Sequence, residues 1–168
     1  MMLFVPRMAA NIPDHVRGVT VRPSVLSDVY ELAANLRAAD RDEVESLGLD
    51  VRVGIRNSFR HALLRKTYLV DGEVAAMSGL CGSMLGDIGE PYLMTSAAAE
   101  RVPLAFVKHA KASVAEMLGL KRRLEGHVAA NYIRACRLLE VLGFDLGEPL
   151  PIGPKAALFR KYTMMRGF

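Results

Sequence analysis

Cysteine is scarce in this chain. Cys81 and Cys136 stand far apart, with no CxxC or Cys/His spacing, which excludes a disulfide framework and a recognisable zinc site. The four histidines, His15, His61, His109 and His127, form neither HxxxH nor HExxH, so no metal centre is expected. No apolar run approaches the roughly 18–20 residues that a membrane span needs. Internal repeats and low-complexity tracts are absent too. The N-terminal stretch MMLFVPRMAANIPDH has no basic residue ahead of its apolar part, and Pro6 and Arg7 interrupt that part. A secretory signal is not expected, and the chain reads as intracellular.

What remains is ordinary globular composition. The 168 residues suit one domain at roughly 150 residues each, and 51% hydrophobic with 24% charged residues argues against disorder. The net charge of +4 is uneven: residues 101–168 hold 12 Lys/Arg against 5 Asp/Glu, residues 1–100 hold 10 against 13. A basic C-terminal part can face cofactor phosphates, nucleic acid or an acidic partner. Its cations are too dispersed for a nucleic-acid arm, so nucleic acid is not the expected partner.

Residues 1–17, with two prolines and no period, read as an arm, and 18–168 as the domain. Val19–Arg22 alternates as a short strand before Pro23. Ser24 or Ser27 can cap a helix carrying Val29, Leu32, Ala33 and Leu36 at helical spacing. Two more helices follow, over Asp40–Leu47 and Asp50–Leu64, the latter with Val51, Ile55, Phe59 and Leu63 four apart. Asp71-Gly72 joins Thr67–Val70 to Glu73–Leu80 as a hairpin. After a loop at 82–91 come strand Pro91–Thr95, a helix from Arg101 to Leu118 stopped by Gly119, strand Arg122–Val128, helix Asn131–Leu142 stopped by Gly143, a proline-rich turn EPLPIGP, and a last strand, Ala156–Met164. The Met residues 77, 84, 94 and 117 are expected in the core, both cysteines as buried small hydrophobes, and Lys121-Arg122-Arg123 as solvated surface. The order predicts a mixed α/β fold, a central sheet of six to seven strands with helices on both faces.

The stretch Pro91–Phe144 resembles the GNAT N-acetyltransferase superfamily. Tyr92–Thr95 stands as the central strand, Arg101–Leu118 as the following helix, Arg122–Val128 as the next strand, and NYIRACRLLEVLGF as the helix ending in Gly-Phe; VTVRPSVLSDVYELAANL at 19–36 matches the opening strand and helix. The resemblance implies that the central strand parts from its neighbour and pairs with the pantetheine arm of acetyl-CoA, while amides at a helix start hold the phosphates. It carries Met94, Thr95, Ala99, Arg101 and Asn131 over as cofactor-binding residues, Asn131 being equally readable as a helix N-cap. Where the family has a glycine-containing phosphate loop, this chain reads SAAAERVP at 96–103, and Leu139 stands where many members place an acid tyrosine. No catalytic residue is identified: Glu73 is the one acid on its hairpin strand and directly follows the turn.

A narrower likeness is to GNAT-like internal virion proteins of short-tailed bacteriophages, carried by AMSGLCG at 76–82 and YLMTS at 92–96. It implies a virion-assembly role in a phage or prophage, with the acetyltransferase fold kept as scaffold and other virion proteins or a second copy as partners. It places the protein in the bacterial host cytoplasm or the virion. The alternative is an active acetyl-CoA-dependent N-acetyltransferase acting on a small-molecule or protein amine.

Overall fold

The structure is a computed structural model and describes residues 15, 16 and 18–167. Most of the expected arm at 1–17 therefore lies outside the described residues; His15–Val16 is a two-residue strand, β1. The other strands are β2 (Val19–Pro23), β3 (Ala62–Val70), β4 (Glu73–Cys81), β5 (Ile88–Thr95), β6 (Arg123–Ala129), β7 (Asp145–Ile152) and β8 (Ala157–Met165). The helices are α1 (Leu26–Asn35), α2 (Ala38–Ser46), α3 (Val51–His61), α4 (Pro103–Leu120) and α5 (Ile133–Leu142), with a 3-10 turn at Ala97–Arg101. The eight strands form one mixed sheet in the order β1-β2-β3-β4-β5-β6-β8-β7.

Helices cover both faces. Along β5 the side chains alternate: Tyr92 and Met94 pack with the α1–α3 cluster of Val29, Leu32, Val44 and Ile55, whereas Leu93 packs with Tyr68 and Phe106 on the α4 side. Asp28 fastens α1 to the sheet. It is 2% exposed, takes two 2.7 Å bonds from Arg22, and accepts from Val25 N–H at 2.9 Å and Thr67 Oγ1 at 2.7 Å. The Asp71-Gly72 hairpin forms as expected, both residues at positive φ (51° and 82°).

Several expectations need correction. The third helix ends at His61, and β3 starts five residues before Thr67; pairing with β4 outweighs the four-residue period there, and Leu63 is a strand residue. EPLPIGP is mostly strand, not turn: β7 runs to Ile152 and is the edge of the sheet, where Pro149 and Pro151 need no outward donor. Asn131 is not the N-cap of α5; Tyr132 is, without a side-chain cap bond. Gly119 lies inside α4, one residue before its end. Met77 and Met117 are core residues, but Met84 is 85% exposed. Lys121 is buried rather than solvated, its ammonium donating to the carbonyls of Ser83 and Gly86 in the β4–β5 loop.

Candidate active site between two parting strands

Strands β5 and β6 run parallel but pair at only two described positions, Ile88 opposite Arg123 and Gly89 opposite Leu124. The reason is legible in the backbone. Ser96 N–H bonds Ala75 O at 2.8 Å. In an antiparallel ladder, alternate residues then turn the same way, so 90, 92 and 94 bond β4, and 91, 93 and 95 face β6. The next β6-facing residue after Gly89 is Pro91, which has no N–H to give. The ladder stops there and the strands part.

Other groups hold the parted strands. Tyr162 of β8 crosses β6 and donates from its hydroxyl to Pro91 O at 2.7 Å. Its path needs Gly126, where an added Cβ would lie 2.3 Å from the hydroxyl oxygen. At the wide end, α2 spans the gap with two carboxylates one turn apart. Asp40 accepts from Thr95 Oγ1 (2.9 Å), Tyr132 Oη (2.9 Å) and Arg37 Nε (3.1 Å). Glu43 accepts the N–H of Ala129, at the end of β6, at 2.6 Å. One helix therefore ties both strand ends.

The gap opens into a cleft of about 520 Å³ that reaches both faces of the sheet. On the α4 side it is lined by Leu93, Phe106, Val107, Ala110 and Val114, and on the other by Glu43, Leu47, Leu49, Ser58 and Tyr92. Burial, with a smaller push from Asp40, raises the Glu43 carboxyl to about 7, against the pull of the Ala129 N–H. Its second oxygen accepts no hydrogen bond among the described residues. Burial likewise lifts the Tyr132 phenol, to about 12, so it stays protonated and donates to Asp40.

Met94, Thr95 and Ala99, expected to bind cofactor, all line the cleft. Arg101 and Asn131 are not among its lining residues: Arg101 pairs with Asp71 (3.2 Å) and Glu73 over the β3–β4 hairpin, and Asn131 is exposed in the turn before α5. The cations at the mouth are Arg37 and Arg134, both bonded to Glu100, at 3.2 and 2.7 Å. Of the amides ahead of α4, Ala98 N–H bonds Ser96 Oγ and Ala99 N–H bonds Ser96 O, and Pro103 opens the helix without one. Sequence reasoning missed Arg37, Asp40, Glu43 and Tyr132. The acids sit three apart on a short polar helix, which in sequence reads as a solvated face.

A bound acyl-pantetheine arm fits these residues. Leu93 N–H and C=O face the gap with no strand partner, as the arm's amides need, and the walls around them are apolar. The phosphate end is met by side chains rather than by a glycine-lined loop. Among the described residues no cluster could hold a metal, and no helix is long and apolar enough to cross a membrane.

No protein-family model matches the chain, nor does any curated protein sequence. Solved structures do. RimL, a ribosomal alpha-N-protein acetyltransferase in complex with coenzyme A, superposes with a TM-score of 0.67 at 11% identity, over 92% of this chain and 97% of its own. A ribosomal-protein-alanine N-acetyltransferase from Brucella melitensis gives 0.66 at 13% identity, covering 87% and 99%. A GNAT-family acetyltransferase from Bacillus anthracis gives 0.62 at 9%, covering 90% and 96%. At such identities the likeness speaks for architecture, and with the parted strands it settles one point: this chain has the GNAT acetyltransferase fold.

Proposed function

We propose that the protein is an acetyl-CoA-dependent N-acetyltransferase. The observation that carries this is the gap itself: Pro91 ends the β5–β6 ladder, Leu93 is left facing an apolar slot, and a carboxylate poised near neutrality stands across it. A scaffold retained only for assembly has no need of a strand gap held open by buried polar bonds, or of a high-pKa carboxylate within it that has one oxygen unbonded among the described residues. The cited structural neighbours are acetyltransferases and support this reading over the virion one.

Acetyl-CoA supplies the acetyl thioester. Leu93 holds its arm through the backbone, and Met94, Thr95 and Ala99 line its path; the Thr95 carbonyl already accepts the Arg37 N–H at 3.0 Å. Arg134 and Arg37 meet the phosphates by exchanging Glu100 for them. Glu43 takes the proton from the acceptor nitrogen. Once deprotonated, the nitrogen forms the new C–N bond with its lone pair as the C–S bond breaks; the sulfur keeps that electron pair and receives, through water, the second proton that the nitrogen sheds. Glu43 then returns its proton to solvent.

Isothermal titration with acetyl-CoA tests the reading. Micromolar binding, weakened at least tenfold by Arg134→Glu and changed less than twofold by Arg101→Glu, is the expected result. No heat at millimolar ligand overturns it.

A further inference from the structure

The cleft is built differently on its two sides. On the α1–α3 side it is bounded by Val44, Leu47, Leu49, Tyr92 and Met94, with the small residues Gly54 and Ser58 of α3 beside them. Leu49 is 47% exposed, an apolar residue at the rim with no apolar cover. Into this half projects Glu43, whose second oxygen accepts no hydrogen bond among the described residues. The one other acid lining this half is Glu90, an exposed rim residue; Asp40 has its Oδ2 filled by Thr95, Tyr132 and Arg37. Tyr92 lays its ring across Gly79 of β4, where an added Cβ would lie 2.5 Å from it, so it gives the trough an apolar wall rather than a hydroxyl.

This side therefore offers one charged anchor inside an apolar trough, Glu43, with Glu90 outside it at the exposed rim. Polyamines and aminoglycoside-like acceptors need several carboxylates spread along the site, and the two arginines that line the cleft, Arg37 and Arg134, are both held by Glu100. A single ammonium on an apolar body satisfies each surface: the head pairs with Glu43, and the body displaces water from Leu47, Leu49 and Tyr92. The pantetheine arm and the acceptor would share a cleft of about 520 Å³ that is open to solvent at its rim, a size usual for small-molecule sites.

We propose that the acceptor is a primary amine on a compact, apolar, otherwise uncharged body, seated between α2, α3 and Tyr92 with its nitrogen at Glu43. This rests on the acyl-transfer reading above. A free arylalkylamine and the N-terminus of a peptide beginning with a large apolar residue present the same chemistry to the site.

The test uses the full chain and separates the two readings. Binding of 2-phenylethylamine, of a tetrapeptide amide beginning with Phe, and of spermidine is measured by titration with and without acetyl-CoA, followed by a free-thiol assay of turnover. The expected result is that 2-phenylethylamine or the Phe peptide binds and is turned over at least tenfold more efficiently than spermidine. Which of the two wins identifies the source. Glu43→Gln should remove amine binding at least tenfold while leaving acetyl-CoA affinity within twofold, and Leu49→Asp should weaken the apolar amine without harming acetyl-CoA binding. Acetyl-CoA binding with spermidine preferred, or with no binding of either apolar amine, overturns the acceptor assignment and leaves acyl transfer standing. Apolar amine binding lost in Glu43→Gln but without any acetyl-CoA binding keeps the amine site and overturns acyl transfer. Binding of neither overturns both.

Discussion

Glu43 carries two opposed duties that one substitution can separate. Its carboxyl is held near 7 in the folded chain, above the value for an exposed glutamate. A group whose folded pKa is raised favours the folded state when protonated, so its contribution is full below about pH 4 and is lost as pH rises toward 7. Glu43→Gln keeps an acceptor for Ala129 N–H and cannot ionise. The variant should therefore be more stable than wild type at pH 8 and similar near pH 4, as measured by urea denaturation, while its turnover falls at least a hundredfold. The same carboxyl gives kcat/KM a rising limb with an apparent pKa near 7. Asp40, Cys136 and Tyr162 are the other titratable groups close enough to feel its charge, and burial holds both Cys136 and Tyr162 above their ordinary values, so neither competes at that pH. Glu100 is a simpler case. It sits at the mouth on two arginines needed by phosphate, and Glu100→Gln should tighten acetyl-CoA binding about three- to fivefold, the scale of an exposed ion pair; unchanged or weaker binding would place the phosphates elsewhere.

At the level of elements, the decisive feature is where one ladder ends. Pro91→Ala restores an N–H facing β6, which lets pairing advance into the gap; acetyl-CoA affinity should fall about tenfold with the far-UV circular dichroism unchanged. Tyr162→Phe leaves Pro91 O buried without its donor and should cost about 1–3 kcal/mol in urea denaturation. Asp28 acts away from the gap, on β2 and β3. Burial pushes its carboxyl up, but Arg22, the Val25 N–H and Thr67 together hold it below the ordinary aspartate range. That contribution is present above about pH 4 and disappears as pH falls below it; Asp28→Asn should lose about 3 kcal/mol at pH 7 and less at pH 3. These elements differ in how readable they are. The Asp71-Gly72 turn and the stripe of α1 announce themselves because local rules decide them. The start of β3 and the strand through Pro149 and Pro151 do not, since a partner strand decides the first and an edge position excuses the second. Pro91 is visible in the sequence, but its meaning depends on which way residue 91 faces, which only the register with β4 supplies.

For the whole molecule, the order of elements was enough to read a mixed α/β sheet covered on both faces and its likeness to acetyltransferases, because that order is fixed by periods and turns along the chain. The residues lining the cleft were readable only in part. Met94, Thr95 and Ala99 lie on the strand and turn that the likeness singles out. Arg37, Asp40, Glu43 and Tyr132 converge from α2 and the chain just before α2 and α5, up to 95 residues apart in sequence, and no local pattern marks such a meeting. The basic excess of residues 101–168 resolves into separate tasks: Arg134 stands at the cleft mouth, Lys121 is spent on the β4–β5 loop, and Arg101 is bound to the hairpin.

The gap between β5 and β6 is the centre of this picture, and acetyl-CoA titration of wild type, Pro91→Ala, Arg134→Glu and Arg101→Glu proteins addresses it most directly. Micromolar affinity in wild type and Arg101→Glu, reduced about tenfold or more in the other two, is the predicted pattern. Wild-type protein silent at millimolar acetyl-CoA, or affinity that follows Arg101 and ignores Pro91, would contradict it.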